Sequence, residues 1–217
     1  MIKQYLKQPI DITSKENIIK VSNRLLDHSP VNLKEYYHSG RYHKEIEHIV
    51  SHAANYASEI LSTETNYQTK PSNLAAIFDI DETMLSNANI LADNNFINSP
   101  DVWAYSNGIS SLPAILSVKQ LYDLLVSYDI SIFIITAREL STLEITKTNL
   151  AFSGYHTYEK LFLKPDETEL SFSDYKASVR KDIIGQGYQI ILNIGDKLTD
   201  FQGGYYDQGF LLPNYFY

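Results

Sequence analysis

Two aspartates, Asp79 and Asp81, stand one residue apart directly after the apolar run Leu74–Phe78. That run has no helical spacing and predicts a buried β-strand. Because side chains alternate along a strand, both carboxylates leave it on the same side. Two carboxylates this close repel each other, which raises a pKa unless a cation lies between them or one carries a proton. The pair therefore predicts a site that combines a hard cation with proton transfer.

Two further apolar runs also end in polar residues. The run Ile130–Ile135 is followed by Thr136-Ala137-Arg138, and the run Tyr188–Ile194 by the segment 195–200, GDKLTD. If the three strands are parallel neighbours, their carboxyl ends lie at one edge of a sheet, where ligands bind in α/β proteins. The sequence therefore predicts one crevice lined from three strand ends.

The elements between these strands are predicted to be helices. Pro113 would lie in the first turn of a helix that ends at Ser127, and a second helix would span Ser141–Phe152. A short strand follows at Lys160–Leu163, and Ser173 would cap a helix that ends at Gly185. Alternating strands and helices predict an α/β fold with a parallel sheet and right-handed crossovers.

The first 72 residues are predicted to form a helical extension. Candidate caps at residues 11–14 open a first helix that ends at Leu26, and a second begins near Leu33. Apolar residues then recur every three or four positions from Gly40 to Leu61, which indicates a long amphipathic helix. The polar segment 63–73 would join this extension to a catalytic core.

A polar, asparagine-rich segment at residues 86–112 follows the first strand. Loops of this length are uncommon in compact domains and are usually functional, so we expect a lid over the crevice. Trp103 and Tyr105 within it could stack on a substrate ring or anchor the lid by packing. These two alternatives are equally favoured by the sequence.

Composition limits the classes of partner and of metal site. The 217 residues contain no cysteine, which excludes disulfides and thiolate metal sites. A net charge of -8 disfavours nucleic acid and anionic membranes. The first twenty residues have no apolar export signal, so a cytoplasmic location is the default, or a secreted or periplasmic one if the chain is a mature form.

His48 and His52 stand four residues apart on the long helix, with His43 and Glu47 nearby, and could in principle clasp zinc. The apolar stripe of that helix follows other positions, so the sequence favours a solvated face instead.

Four motifs occur in a fixed order: FDIDET, ITAR, YKASVR and GDKLTD. In this the chain resembles the haloacid dehalogenase (HAD) superfamily, and within it the subfamily IIIB acid phosphatases, which include class B and class C enzymes, plant acid phosphatases and vegetative storage proteins. The resemblance implies a HAD-like, Rossmann-type three-layer sandwich with a central parallel sheet. It also implies a single domain over 1–217, with an extension at 1–72 and a catalytic core with its lid at 73–217.

The resemblance further implies a role for each acid. Asp79 would be the nucleophile that forms an aspartyl-phosphate, and it would also bind Mg²⁺. Asp81 would bind the ion through its backbone carbonyl, while its side chain serves as general acid and then general base. Asp196 would be a further metal ligand. Asp200 is a candidate for the metal shell that would orient a metal-bound water or Lys176.

The phosphate would be bound by Thr136, through its hydroxyl and nearby amides, and by Lys176 as a point charge. Arg138 and Arg180 would support the site or line its substrate rim, and Thr83 would fix the loop after the nucleophile. Leu198 stands where many plant relatives have tryptophan, a difference that bears on the substrate rather than on the reaction.

These expectations make the chain a Mg²⁺-dependent phosphomonoesterase, acid phosphatase-like, that acts on a small phosphorylated substrate. One alternative is a phosphotransferase of the same fold, which passes the phosphoryl group to an alcohol. Another is a storage or interaction protein without activity. The helical extension could dock a partner or a second copy of the chain, which would make a homodimer.

Overall fold

The structure is a computed structural model that describes residues 32–64, 73–97 and 99–217, without the side chains of residues 63, 64, 103, 104 and 107. The predicted helix that ends at Leu26 lies outside these residues, as does most of the predicted join at 63–73.

Two helices precede the sheet. Helix α1 spans Leu33–His38, and its cap residue Asn32 accepts a hydrogen bond from the Glu35 amide through its side chain. Helix α2 spans Arg41–Glu64, so the long amphipathic helix predicted from the sequence is confirmed. Its buried stripe includes Ile46 and Ile49, as the spacing requires.

The sheet has five parallel strands in the order β3-β2-β1-β4-β5. Their bounds are β1 Leu74–Phe78, β2 Ser131–Glu139, β3 Lys160–Lys164, β4 Gln189–Gly195 and β5 Gln208–Leu211. The strands predicted to begin at Leu74, Ile130, Lys160 and Tyr188 are confirmed within one residue, whereas β5 was not predicted. Strand β1 is buried along its whole length and lies between β2 and β4, which brings the three polar strand ends together.

Helices cover both faces of the sheet. The remaining helices are α3 Ala88–Asp93, α4 Pro100–Asn107, α5 Leu116–Ser127, α6 Leu143–Phe152 and α7 Phe172–Gly185, with short 3-10 turns at Leu140–Thr142 and Leu198–Asp200. None of the helices in the described part of the chain combines the length and the apolarity needed to cross a membrane.

Alternate residues of β1 enter two separate hydrophobic cores. Ala76 and Phe78 belong to the larger core, which also contains buried residues of α2 and α5. Ala75 and Ile77 belong to the smaller core, together with Val179 of α7. This alternation gives the predicted three-layer arrangement, and it makes α2 part of the main core rather than an appendage.

Two predicted helix starts are wrong. Helix α5 begins at Leu116 rather than near Pro113, because residues 113–115 pair with the loop after β1: the Ser86 amide donates to the Pro113 carbonyl, and the Ile115 amide to that of Met84. Helix α7 is capped by Ser171 rather than Ser173. Its hydroxyl accepts a hydrogen bond from the Asp174 amide at 3.1 Å, as a cap residue does three positions before its partner.

The segment 86–112, expected to be a loop, contains the short helices α3 and α4. None of the residues of this segment that the structure describes lies in the wall of the acidic cavity described below. The segment nonetheless reaches the site from behind, through Asn87 and Ser106.

Candidate active site

The ends of β1, β2 and β4 open into one cavity of about 800 Å³. The Asp79 amide donates to the Ile194 carbonyl at 3.0 Å, which carries the pairing of β1 and β4 up to the first acid. All residues predicted for catalysis, phosphate binding and metal binding line this cavity, namely Asp79, Asp81, Thr136, Arg138, Lys176, Asp196 and Asp200. The sequence prediction that distant residues meet at one strand edge is confirmed as a matter of position.

Lys176 connects two of the acids. It lies in the second turn of α7, and its Nζ donates to Asp79 Oδ1 at 2.5 Å and to Asp200 Oδ1. Burial disfavours the ammonium charge, but the carboxylates of Asp200 and Asp79 outweigh burial, so the pKa of Lys176 is raised. Asp200 thus contacts Lys176, which is one of the two partners predicted for it from the sequence.

Three buried carboxylates meet beside this lysine. Oxygens of Asp79, Asp196 and Asp200 all lie within 4.8 Å of one another. Burial raises the pKa of Asp79 to about 7, although Lys176 opposes the shift. The pKa of Asp196 is raised well above its usual range, first by burial and then by the charges of Asp79 and Asp200. The cluster thus carries more negative charge than its surroundings neutralise.

This cluster has a donor set that could hold a divalent metal ion. Three carboxylates and the one ammonium of Lys176 leave two negative charges, which is the charge of one divalent cation. Carboxylate oxygens are ligands that Mg²⁺ prefers, usually with several waters retained. Asn214 also donates to Asp196 Oδ2 at 2.6 Å and so orients that acid from outside the cluster, as groups behind metal ligands do.

Asp200 is held close to the backbone because residue 195 has no side chain. The Lys197 amide donates to Asp200 Oδ2 at 2.9 Å. A Cβ atom added to Gly195 would lie only 2.2 Å from the same oxygen. The glycine of the GDKLTD motif is thus explained by close approach of a carboxylate.

Asp81 is bound very differently from Asp79. The Arg138 guanidinium donates to both of its oxygens, through Nε to Oδ2 at 2.8 Å and through Nη2 to Oδ1 at 2.7 Å. Burial alone would raise the pKa of Asp81, but Arg138 reverses this and holds that pKa below its usual range. Arg138 was predicted to support the site or to line its substrate rim. It lines the cavity, yet its partner here is the second acid of the motif.

Thr136 is buried in β2, three residues before the strand ends, and its Oγ1 accepts a hydrogen bond from the Arg138 amide at 3.1 Å. This leaves the hydroxyl proton to serve another acceptor in the cavity. Arg180 is a support residue, since its guanidinium donates to the backbone carbonyls of residues 200, 202 and 204. Thr83 does not hold its loop through its hydroxyl, which has no partner among the described residues; its amide does so by donating to the Ile80 carbonyl.

Sequence reasoning missed a buried polar cluster behind Asp81. Glu82 is fully buried, has a positive φ of 52°, and accepts hydrogen bonds from the Asn87 amide at 2.5 Å and the Tyr217 hydroxyl at 2.6 Å. Burial raises the pKa of Glu82 to about 7. The sequence could not predict this positive φ, because the DIDET motif by itself indicates only the end of a strand.

The outer wall of the cavity is largely apolar. It includes Phe172, Leu198, Leu211 and Tyr217, and Phe172 and Leu198 are half exposed. Lys197 lies over the Tyr217 ring, with its Nζ 3.9 Å from the ring centre. Tyr105 is instead exposed beside a separate depression formed by residues of 90–105. The His48 and His52 side chains are exposed on α2, as predicted.

Comparison with known proteins identifies the family. The family described as HAD superfamily, subfamily IIIB (Acid phosphatase) matches residues 16–217. The chain belongs to this family. It is therefore a phosphatase by membership, and the resemblance based on its four motifs is confirmed.

Plant proteins are among the relatives of this HAD phosphatase. It is 32% identical over 194 residues to the stem 28 kDa glycoprotein of Glycine max, covering 85% of this chain and 72% of the relative. It is 28% identical over 193 residues to acid phosphatase 1 of Solanum lycopersicum, with the same coverage of 85% and 72%.

The fold of this HAD phosphatase is also that of a solved bacterial enzyme. The class C acid phosphatase from Bacillus anthracis superimposes with a TM-score of 0.66 at 19% identity, over 92% of this chain and 87% of the other. At that identity the likeness supports the fold alone.

Proposed function

We propose that this phosphatase hydrolyses a small phosphate monoester through an aspartyl-phosphate on Asp79 and depends on Mg²⁺. The observation that carries the proposal is the contrast within one cavity between the acids that lack charge compensation and the acid that has it. Asp79 lies with Asp196 and Asp200 beside a single lysine, whereas Asp81 is paired with an arginine of its own.

Asp79, Asp196 and Asp200 would hold the ion, with the backbone carbonyl of Asp81 as a further ligand. A bound Mg²⁺ would neutralise charge on the cluster and on a phosphate oxygen, so that a carboxylate can approach a phosphorus atom. Lys176 and the Thr136 hydroxyl would bind the other phosphate oxygens. Their fixed positive charge and hydrogen-bond donor suit a transition state whose charge is spread over those oxygens.

The chemistry then proceeds in two displacements. A carboxylate oxygen of Asp79 attacks phosphorus while the bond to the leaving oxygen breaks, and Asp81 gives its proton to that oxygen. Asp81 must carry a proton for this step, and the negative charge of a bound phosphate ester favours that form over the ionised one that Arg138 stabilises without substrate. In the second displacement Asp81 takes a proton from water as the water attacks the same phosphorus. The bond to Asp79 breaks, inorganic phosphate is released, and both carboxyl groups return to their starting states.

The proposal is tested by trapping the intermediate. Borohydride added during turnover of p-nitrophenyl phosphate should reduce the aspartyl-phosphate and convert residue 79 to homoserine, which peptide mass spectrometry detects. The reduced product should be absent after treatment with EDTA and should return when Mg²⁺ is restored. Turnover that continues in EDTA would remove the metal from the mechanism, and a label on any other residue would identify a different nucleophile.

A further inference from the structure

The Asn87 side chain points away from the helix that it precedes. Asn87 occupies the cap position of α3, yet its side chain makes no capping hydrogen bond. Asparagine at that position usually accepts from an amide of the first helical turn. Here the side chain is buried, with 1% of its surface exposed, and faces the two acids Asp81 and Glu82 instead.

The hydrogen bonds of Asn87 fix the orientation of its amide group. Its Nδ2 donates to Asp81 Oδ1 at 3.0 Å and to Glu82 Oε2 at 3.2 Å, and ionised carboxylates can only accept. Its Oδ1 accepts the hydroxyl of Ser106, a buried residue of α4. Ser106 therefore keeps the nitrogen of the amide turned towards the acids.

The two oxygens of Asp81 differ in the number of hydrogen bonds that they accept. Oδ1 accepts hydrogen bonds from Asn87 and from Arg138 Nη2, whereas the one donor to Oδ2 among the described residues is Arg138 Nε. A carboxylate oxygen has two lone pairs, so Oδ1 is fully used and one lone pair of Oδ2 remains. The Asp81 carboxyl group is also partly open to the cavity, with 23% of its side chain exposed.

We propose that Asn87, held by Ser106, is a positioning residue that fixes the Asp81 carboxyl group so that Oδ2 carries the transferred proton. This inference rests on the proposed function, in which Asp81 is the general acid. The proton leaves Oδ2 for the leaving oxygen as the bond from phosphorus to that oxygen breaks, and a proton from the attacking water returns to Oδ2. Asn87 exchanges no proton and touches no substrate.

In this proposal the segment 86–112 positions the Asp81 carboxyl group. Ser106 lies 19 residues after Asn87, and the contact between them ties helix α4 to the acid. The backbone of Glu82 has a strained φ of 52°. The same hydrogen bonds fix this residue, because its carboxylate accepts one from the backbone nitrogen of Asn87 and one from the side-chain nitrogen. Strain retained at a fully bonded buried residue is consistent with a site built for placement.

The test uses the dependence of rate on the leaving group. A poor leaving group such as an alkoxide needs protonation, whereas p-nitrophenolate does not, and kcat/KM reports the steps up to the first cleavage at phosphorus. In Asn87→Ala we expect kcat/KM for an alkyl phosphate to fall on the order of 100-fold, and for p-nitrophenyl phosphate by less than about 10-fold. Ser106→Ala should shift the same ratio in the same direction by about 3- to 10-fold.

The controls separate positioning from folding and from the proposed function. Ser111→Ala removes an exposed hydroxyl just beyond α4 and should leave both rates unchanged. Partial unfolding would lower kcat/KM for both substrates by the same factor. The thermal unfolding midpoint of each variant shows whether the variant is partly unfolded. Equal losses of kcat/KM on both substrates in folded Ser106→Ala or Asn87→Ala would overturn the inference. Borohydride trapping of the aspartyl-phosphate on Asp79 tests the proposed function separately. If Asn87→Ala does not fold, the ratio measured in Ser106→Ala decides.

Discussion

Asp79 and Asp81 are separated by one residue in the chain and line the same cavity, yet the charged groups around them differ. Asp79 lies beside two further buried acids, and burial raises its pKa to about 7. Asp81 accepts two hydrogen bonds from Arg138 and one from Asn87, which hold its pKa below the usual range. In the half around Asp79, three carboxylates share the single ammonium of Lys176, whereas Asp81 has a cation of its own.

The difference shows how one motif can supply two kinds of chemistry. A cluster with surplus negative charge favours binding a cation, and an acid with its own cation needs none. Both acids face the same cavity while Ile80 between them is fully buried, so their partners Lys176 and Arg138 make the difference. Variants that change one half of the cavity show whether the other half depends on it.

The largest expected effect is the loss of the nucleophile. Asp79→Asn keeps the shape of the side chain but removes the attacking charge, so kcat should fall on the order of 10⁴-fold or more. The initial rate of phosphate release from p-nitrophenyl phosphate measures this. A variant that kept near wild-type turnover would mean that the acid-rich half of the cavity is not where the reaction begins.

Removal of Lys176 should cost more stability than removal of any exposed lysine. Lys176→Met leaves Asp79 and Asp200 buried without their partner, and breaking a buried pair in this way costs about 3–5 kcal/mol. Lys147→Met is the matched control, because that lysine is half exposed and pairs with Glu144 at 2.9 Å; it should cost less than about 1 kcal/mol. Urea unfolding without Mg²⁺ measures both, and similar losses would show that Lys176 is not the charge that holds the cluster together.

Magnesium should stabilise the folded protein even without substrate. An ion that binds only the folded state at a hundred times its dissociation constant adds about 2.7 kcal/mol. The thermal midpoint should therefore rise with Mg²⁺ in the wild type and much less in Asp196→Asn, which removes one carboxylate of the cluster. Arg138→Gln should retain the rise, because it alters the half of the cavity that already has its cation. An equal response of the wild type and Asp196→Asn would place the ion elsewhere.

The sequence predicts the parts of the site that depend on local pattern. Strands β1, β2 and β4 are continuous apolar runs, and their polar ends meet because parallel neighbours share an edge. The family motifs then identify the acids and Lys176. Strand β5 escaped prediction because it has only four residues, Gln208–Leu211, and is defined by pairing with β4.

What the sequence could not predict depends on contacts between distant residues. Asn87 resembles an ordinary helix cap, and only the fold shows that its side chain serves Asp81 instead. Asn214 reaches Asp196 from 18 residues away, and the Tyr217 hydroxyl reaches Glu82 across 135 residues. Local propensity carries no signal for such partners, so their discovery needed the tertiary structure.

The smallest effect that should still distinguish the two halves comes from Gly195. An added methyl group would lie 2.2 Å from Asp200 Oδ2, so Gly195→Ala must displace the carboxylate that Lys176 and the Lys197 amide hold. Displacing a group that orients a metal or phosphate site typically costs 10- to 100-fold in metal affinity or activity, and we expect a loss of about that size. Isothermal titration with Mg²⁺ and the rate of p-nitrophenyl phosphate hydrolysis measure it.

Gly185→Ala is the matched control for this change. Gly185 ends α7 with open space where a Cβ would lie, and its φ is not positive. Alanine there should leave activity unchanged and alter the free energy of unfolding by no more than about 1 kcal/mol, in the stabilising direction.

In Gly195→Ala, hydrolysis of alkyl and p-nitrophenyl phosphates should fall by the same factor, because the pairing of Asp81 with Arg138 is untouched. A selective loss on the alkyl substrate would instead show that the two halves of the cavity are coupled through the backbone of β4.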